Sequence, residues 1–209
     1  MPTATEQLAA ALKLYAPEFE LELKPEHIKN LQDYYSLILK WNPRLHLVAP
    51  CSPEEFAVRH VLESLILLKY LPLNVRVADI GAGAGLPIIP CLLLRNDLQA
   101  TLIEASQKKS VFLKEAVRTV QPAARTQVLN ARFEDLPSPD AQFITCRALD
   151  KFSELLPVML EWAPADATLA LFCGEAIMKS LGAVLSEMTV ELIPRSEKRF
   201  LVIGRAHRG

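Results

Sequence analysis

Asp79 stands two residues ahead of three alternating glycines in the stretch Val77-Ala78-Asp79-Ile80-Gly81-Ala82-Gly83-Ala84-Gly85-Leu86-Pro87. A glycine-rich turn between a strand and a helix lets a ligand approach the main chain, because no Cβ intervenes. Dinucleotides and the methyl donor S-adenosylmethionine both use such turns. The dinucleotide fingerprint G-x-G-x-x-G would need its third glycine at position 86, where the chain has Leu86. Asp79 points the same way: a carboxylate opposes a pyrophosphate but suits an ammonium and a sulfonium. Glu104, at the end of ATLIE one β-α-β unit later, can take both ribose hydroxyls of either cofactor class. Taken with Asp79 and the glycine spacing of Gly81, Gly83 and Gly85, it favours the methyl donor. The plainer account, a tight turn with Asp79 capping the next helix, is weaker, since one turn rarely needs three glycines.

Other candidates leave alternatives open. In Asn130-Ala131-Arg132-Phe133-Glu134-Asp135, Phe133 can pack on an adenine ring while main-chain groups beside Glu134 bond its edge. Equally, Phe133 can be core, with Arg132 paired to Glu134 or Asp135. Cys146, at the end of a strand beside Arg147, has the position of a thiolate that attacks cytosine C6. That chemistry draws on a second cysteine or an acid nearby, and none is evident, so Cys146 reads as a small strand-end residue. Arg147 itself is placed at the crevice beside an incoming base. The four histidines are dispersed; His60 is the one beside basic residues, though helix packing competes with any chemical role. Lys108 and Lys109 open a helix just after Glu104, which raises them above an ordinary solvated face, and Arg44, Arg59 and Lys151 can extend that basic surface toward RNA.

The elements that must position these residues change character along the chain. The first 72 residues read as a helical extension. Ile28, Leu31, Tyr35, Ile38 and Trp41 recur at helical spacing, Asn42-Pro43 ends that helix, and Ser52 with Pro53 and Glu55 starts another. From 73 to 209, VRVADI, ATLIE, TQVLN, AQFITC, ATLALFC and RFLVIG are short strand-like runs. Helical stretches, the last EAIMKSLGAVLSEM, separate most of them. Such alternation implies a Rossmann-like α/β domain with a mostly parallel, doubly wound sheet, and TVELIPRSEKRFLVIG adds a C-terminal antiparallel hairpin. No run approaches a membrane span, and the N-terminus has no early basic cluster of a signal peptide. Four scattered cysteines fit free thiols in a reducing cytoplasm, without a metal site. With 23 basic and 24 acidic side chains, only local patches can attract nucleic acid.

WNPRLHLVAP, RHVLESL, DIGAGAGLP, TLIEASQKKSVFL, NARFED and TCRALDKF follow one another in order and spacing. Over residues 35–205 the chain thereby resembles the bacterial small-subunit rRNA guanine-N7 methyltransferases, the glucose-inhibited division protein B family. The resemblance implies a class I, S-adenosylmethionine-dependent enzyme that methylates one guanosine of 16S rRNA, with 16S rRNA or the 30S subunit as partner. A monomer is the expected state. It also implies cofactor contacts at Gly81, Leu86, Phe133, Glu134 and Arg147. The chain departs from the family where Asn is usual at His46, Asp at Glu63, Pro-Gly at Pro87-Ile88 and Lys-Gly at Cys173-Gly174. Guanine N7 keeps a lone pair at neutral pH, so attack on a methyl group needs positioning and no general base. Two other readings stand beside this one. A small-molecule methyltransferase suits the near-neutral charge, and a ribosome-binding module that has lost turnover suits Cys173.

Overall fold

The computed structural model describes residues 1–119, 125–147 and 152–207. Seven strands form one sheet: β1 (Arg76–Ile80), β2 (Gln99–Ile103), β3 (Thr126–Leu129), β4 (Phe143–Arg147), β5 (Thr168–Gly174), β6 (Leu185–Leu192) and β7 (Arg199–Ala206). Their order is β3-β2-β1-β4-β5-β7-β6. The first five are parallel, whereas β7 runs antiparallel to both β5 and β6. The expected α/β class, doubly wound sheet, terminal hairpin and N-terminal helices are all present. The strand order reverses between β1 and β4, and in open α/β sheets the ligand crevice lies beyond the carboxyl ends at that point.

Side chains alternate across the sheet. Ala78 and Ile80 face α7 (Phe152–Trp162) with Ile144, Cys146, Leu169 and Leu171. Val77 faces the opposite way, into a core shared with α1 (Ala4–Tyr15), α2 (Pro25–Leu45), α5 (Ile88–Leu94) and α6 (Gln107–Thr119). Leu8, Phe19, Leu31, Tyr34 and Phe56 are fully buried there. Asp79 falls on this helical side because it lies two residues beyond Val77.

Three local readings need correction or refinement. α2 does not end at Asn42-Pro43 but continues to Leu45, with His46 closing it at φ 48°. Pro43 lacks only one amide in that last turn, and the Asn42 side chain instead bonds both the N–H and the C=O of Val48. The helix begun at Ser52, whose hydroxyl accepts from the Glu55 amide at 3.0 Å, is continuous but irregular. α3 (Pro53–Phe56) passes into a π-helical run, Ala57–Leu62, then α4 (Glu63–Leu65) and a 3-10 turn, Ile66–Lys69. Finally, α8 (Glu175–Leu181) stops before Gly182, and Leu185–Met188, expected in that helix, belong to β6. The hairpin register shifts between Ser186 and Thr189, where Glu187 takes φ 50°, a bulge that absorbs an extra residue.

Candidate functional site

The glycine loop closes on itself and on the neighbouring strand. The Ala82 amide donates to the Ile103 carbonyl at 3.1 Å, and the Gly85 amide donates to the Ala82 carbonyl at 2.6 Å. Gly83 has φ 53° and Gly85 φ 87°, conformations that L side chains rarely adopt. The two positions differ in surroundings. A Cβ at Gly85 would lie 2.3 Å from Ile89 Cδ1, whereas one at Gly83 would meet only the Gly81 carbonyl oxygen, at 3.6 Å, and otherwise open space. Tyr34, fully buried on α2, donates its hydroxyl to the Ala84 carbonyl at 2.6 Å and so ties the helical segment to the loop.

That open space belongs to a cleft of about 460 Å³ at the carboxyl ends of β1, β2 and β4. Gly81, Gly83 and Leu86 line it from the loop, Glu104 and Lys109 from beyond β2, Arg147 from the end of β4 and His60 from the π-helical run. Leu47 and Val48 complete it, held by the Asn42 side chain. A smaller polar cleft, about 230 Å³, sits at the other end of the sheet near Arg76, Gln99 and Asp140, away from the loop.

Glu104 is oriented from all sides. One carboxylate oxygen accepts from the Gly83 amide at 2.9 Å and the other from the Ser106 amide at 2.7 Å. Asn130 steadies the backbone by donating to the carbonyls of Glu104 and Ala105. Each carboxylate oxygen keeps further acceptor capacity, which suits a vicinal pair of hydroxyls. Asp79 is 1 % exposed, and among the described residues neither of its oxygens has a hydrogen-bond partner. Burial, and secondarily the charge of Glu104, push its carboxyl well above the usual carboxylate range.

Arg147 is nearly buried. Its guanidinium donates to the Glu63 carboxylate at 3.1 Å, to Ser64 Oγ at 3.2 Å and to the Arg59 carbonyl, and lies 5.6 Å over the Phe172 ring. Burial lowers its pKa, with Glu63 opposing that effect. His60 packs on Phe56 at 5.1 Å between ring centroids, and burial followed by the charges of Arg147, Arg59 and Arg199 pushes its pKa down to about 4. It is therefore neutral at pH 7.

The structure brings Gly81, Gly83, Leu86, Glu104, Arg147, His60 and Lys109 to one cleft, with Gly85 shaping the loop and Asp79 outside the lining. Phe133 packs edge-on against Trp162 at 5.3 Å, and Glu134 lies 3.4 Å from Arg132. Neither is in the lining. Lys108 and Arg44 are exposed, Arg59 is exposed and paired with Glu55 at 2.6 Å, and Lys151 lies outside the described residues. Sequence reasoning missed Leu47, Val48, Tyr34, Glu63 and Ser64. Glu63 carried a signal: an acid set among Val61, Leu62, Leu65 and Ile66, on an apolar helix, must be partnered when buried.

Comparison with known proteins gives the family. A family model described as rRNA small subunit methyltransferase G matches residues 27–200. Ribosomal RNA small subunit methyltransferase G of Halorhodospira halophila is 34% identical over 176 residues, covering 84% of this chain and 83% of that protein. The protein of the same name from Pelotomaculum thermopropionicum is 31% identical, covering 95% and 90%. A tRNA methyltransferase structure from Aquifex aeolicus aligns with a TM-score of 0.53 at 16% identity, covering 70% of this chain and 68% of that one, a likeness of fold alone. With the family model spanning most of its length, the chain belongs to the rRNA small subunit methyltransferase G (GidB) family.

Proposed function

We propose that this chain is a cytoplasmic, monomeric enzyme that uses S-adenosylmethionine to methylate N7 of one guanosine in the 16S rRNA of the small ribosomal subunit. The observation that carries the reading is the convergence of Gly83, Glu104 and Arg147 on one cleft, in a chain of this family. The residues fit the cofactor: the cradle at Gly83 would be filled by a single Cβ, Glu104 offers acceptors for ribose hydroxyls, and Asp79 is a buried carboxyl suited to a cationic partner. When bound, S-adenosylmethionine supplies an electrophilic methyl group on a sulfonium.

The chain's own residues have a limited task. Guanine N7 already carries its lone pair, so no side chain has to remove a proton. Alkylation leaves positive charge on the base, which an uncompensated cation beside it would oppose. Arg147 is offset by Glu63, and His60 is held neutral, so the wall of the cleft tolerates that charge. Arg147 bonds the methionine carboxylate or the guanine O6 with the donors that Glu63, Ser64 and Arg59 leave over. Lys108 and Lys109 extend the site toward RNA phosphates, with Arg44, Arg59 and Lys151 as further contacts. Phe133 and Glu134 are assigned to the adenine end by resemblance, although Phe133 already has Trp162 as a neighbour.

One rival is favoured by a specific observation. Cys173, where the family usually has Lys, is buried with its thiol pushed up to about 11, so it supplies no charge and suits a ribosome-binding module without turnover. Mapping methylated guanosines in 16S rRNA from a deletion strain, and from the same strain complemented with this chain, separates the readings. Restoration of one N7-methylguanosine is expected. Restored ribosome association without the methyl group would favour the module.

A further inference from the structure

Glu63 is 1 % exposed, yet it carries two cations on one carboxylate. Its Oε2 accepts from Arg147 at 3.1 Å, and its Oε1 accepts from Arg199 Nε at 3.0 Å and from Arg199 Nη2 at 2.5 Å. Arg147 comes from the end of β4 and lines the cleft; Arg199 comes from the start of β7 and lines a separate groove on the outer side. Glu63 thus stands between them. Immediately before it, the π-helical run offers the Arg59 carbonyl to Arg147, and immediately after it Ser64 offers its hydroxyl. Among the described residues, three of the five N–H donors of Arg147 are consumed, all by this one helical segment, leaving Nε–H and one Nη1–H. A π bulge inside an α-helix is frequently found at a functional site, because it redirects carbonyls from the helix ladder.

We propose that Glu63 is a positioning residue, whose carboxylate fixes the Arg147 guanidinium against the cleft wall and fixes which two donors Arg147 presents to a ligand. The inference rests on the reading of the cleft as a S-adenosylmethionine site. Glu63 itself has no exposure to the cleft contents and acts through Arg147. Arg199 occupies the second carboxylate oxygen, which keeps a carboxylate without access to water fully paired. Without Glu63, the guanidinium keeps only neutral acceptors among the described residues, Ser64 Oγ and the Arg59 carbonyl, and is free to swing.

The test is binding of S-adenosylmethionine by calorimetry, with turnover on 30S subunits as a second readout. Glu63→Gln should weaken binding at least about tenfold, and Glu63→Asp, which keeps the charge, should recover most of it. Arg147→Gln should weaken binding by a similar factor. The decisive comparison is the double variant: if Glu63 acts through Arg147, adding Glu63→Gln to Arg147→Gln should cause no further loss. Breaking a buried pair endangers folding, so the same comparison is made with Glu63→Gln carried together with Arg199→Gln, which keeps the net charge of the cluster. Independent, multiplying losses in either series would overturn the proposal, as would wild-type affinity in Glu63→Gln. A wild-type chain that binds no S-adenosylmethionine would overturn the reading of the cleft and the proposal with it.

Discussion

Single atoms added at Gly83 and Gly85 separate two roles within one loop. Gly83→Ala should cost about 1 kcal/mol of stability, the price of a left-handed L residue, while weakening cofactor binding at least about tenfold, because its Cβ enters the cleft. Gly85→Ala drives its Cβ to 2.3 Å from Ile89 Cδ1 and should cost more stability, about 1–3 kcal/mol for overpacking. Thermal melting and calorimetry on the same samples check both. Asp79 makes the opposite trade. Its folded carboxyl titrates well above 3.8, so the folded state holds the extra proton, and stability declines as pH rises from about 3.8 through the folded pKa. Asp79→Asn removes that decline, because it cannot ionise, and should raise stability at pH 8 while weakening S-adenosylmethionine binding. Lower stability at pH 8 would mean that Asp79 is ionised and partnered in the folded protein. His60 has the reverse sign: folded near 4 and unfolded near 6.5, it makes the unfolded chain the better proton acceptor between those values. Wild type should therefore lose on the order of 2–3 kcal/mol relative to His60→Gln between pH 7 and pH 4, measured as the difference in denaturation midpoints.

At the scale of elements, α2 ends on His46 in a left-handed conformation. Asn adopts that geometry more readily than a ring-bearing residue, so His46→Asn should stabilise the protein by about 0.5 kcal/mol, visible as a small rise in Tm. That segment also marks where sequence reading ran short. Period, caps and β-branched runs made the strands, the Ser52 cap and the amphipathic face of α2 legible, because those signals are local. Pro43 misled because a proline late in a helix costs only one bond, and α2 runs two residues past it while the Asn42 side chain bonds Val48 in the following loop. The π-helical geometry of Ala57–Leu62 had no local signature; the residue it aims its Arg59 carbonyl at, Arg147, lies 88 residues away. Leu185–Met188 read as helix because the apolar spacing fits both periods; pairing with β7 decided it. At the site, the glycine loop and Glu104 were legible from spacing. The partners of Glu63 and Tyr34 were not, because they lie 84 and 50 residues away, although an acid on an apolar helix already marked Glu63 as needing one.

Across the whole molecule the formal charge is −1, so RNA attraction has to be local. On α6, Glu115 is engaged by Lys40 at 3.1 Å, and among the described residues Lys108, Lys109, Lys114 and Arg118 form no ion pair. Lys108→Glu, at an exposed position outside the cleft lining, should weaken RNA binding and flatten its salt dependence, with cofactor affinity nearly unchanged. An equal loss in both titrations would assign Lys108 to the cofactor pocket. The strand order has a further consequence, for the time at which this protein becomes a protein. β7 lies between β5 and β6, so residues 199–206 must be made before β6 has any neighbour in the sheet. During translation, β5 therefore presents a bare edge while everything before it has already emerged, and Glu63 waits without Arg199. Such an edge is a template for pairing with other chains. A chain released before residues 199–206 are made carries an open sheet edge, one that invites chaperones or aggregation.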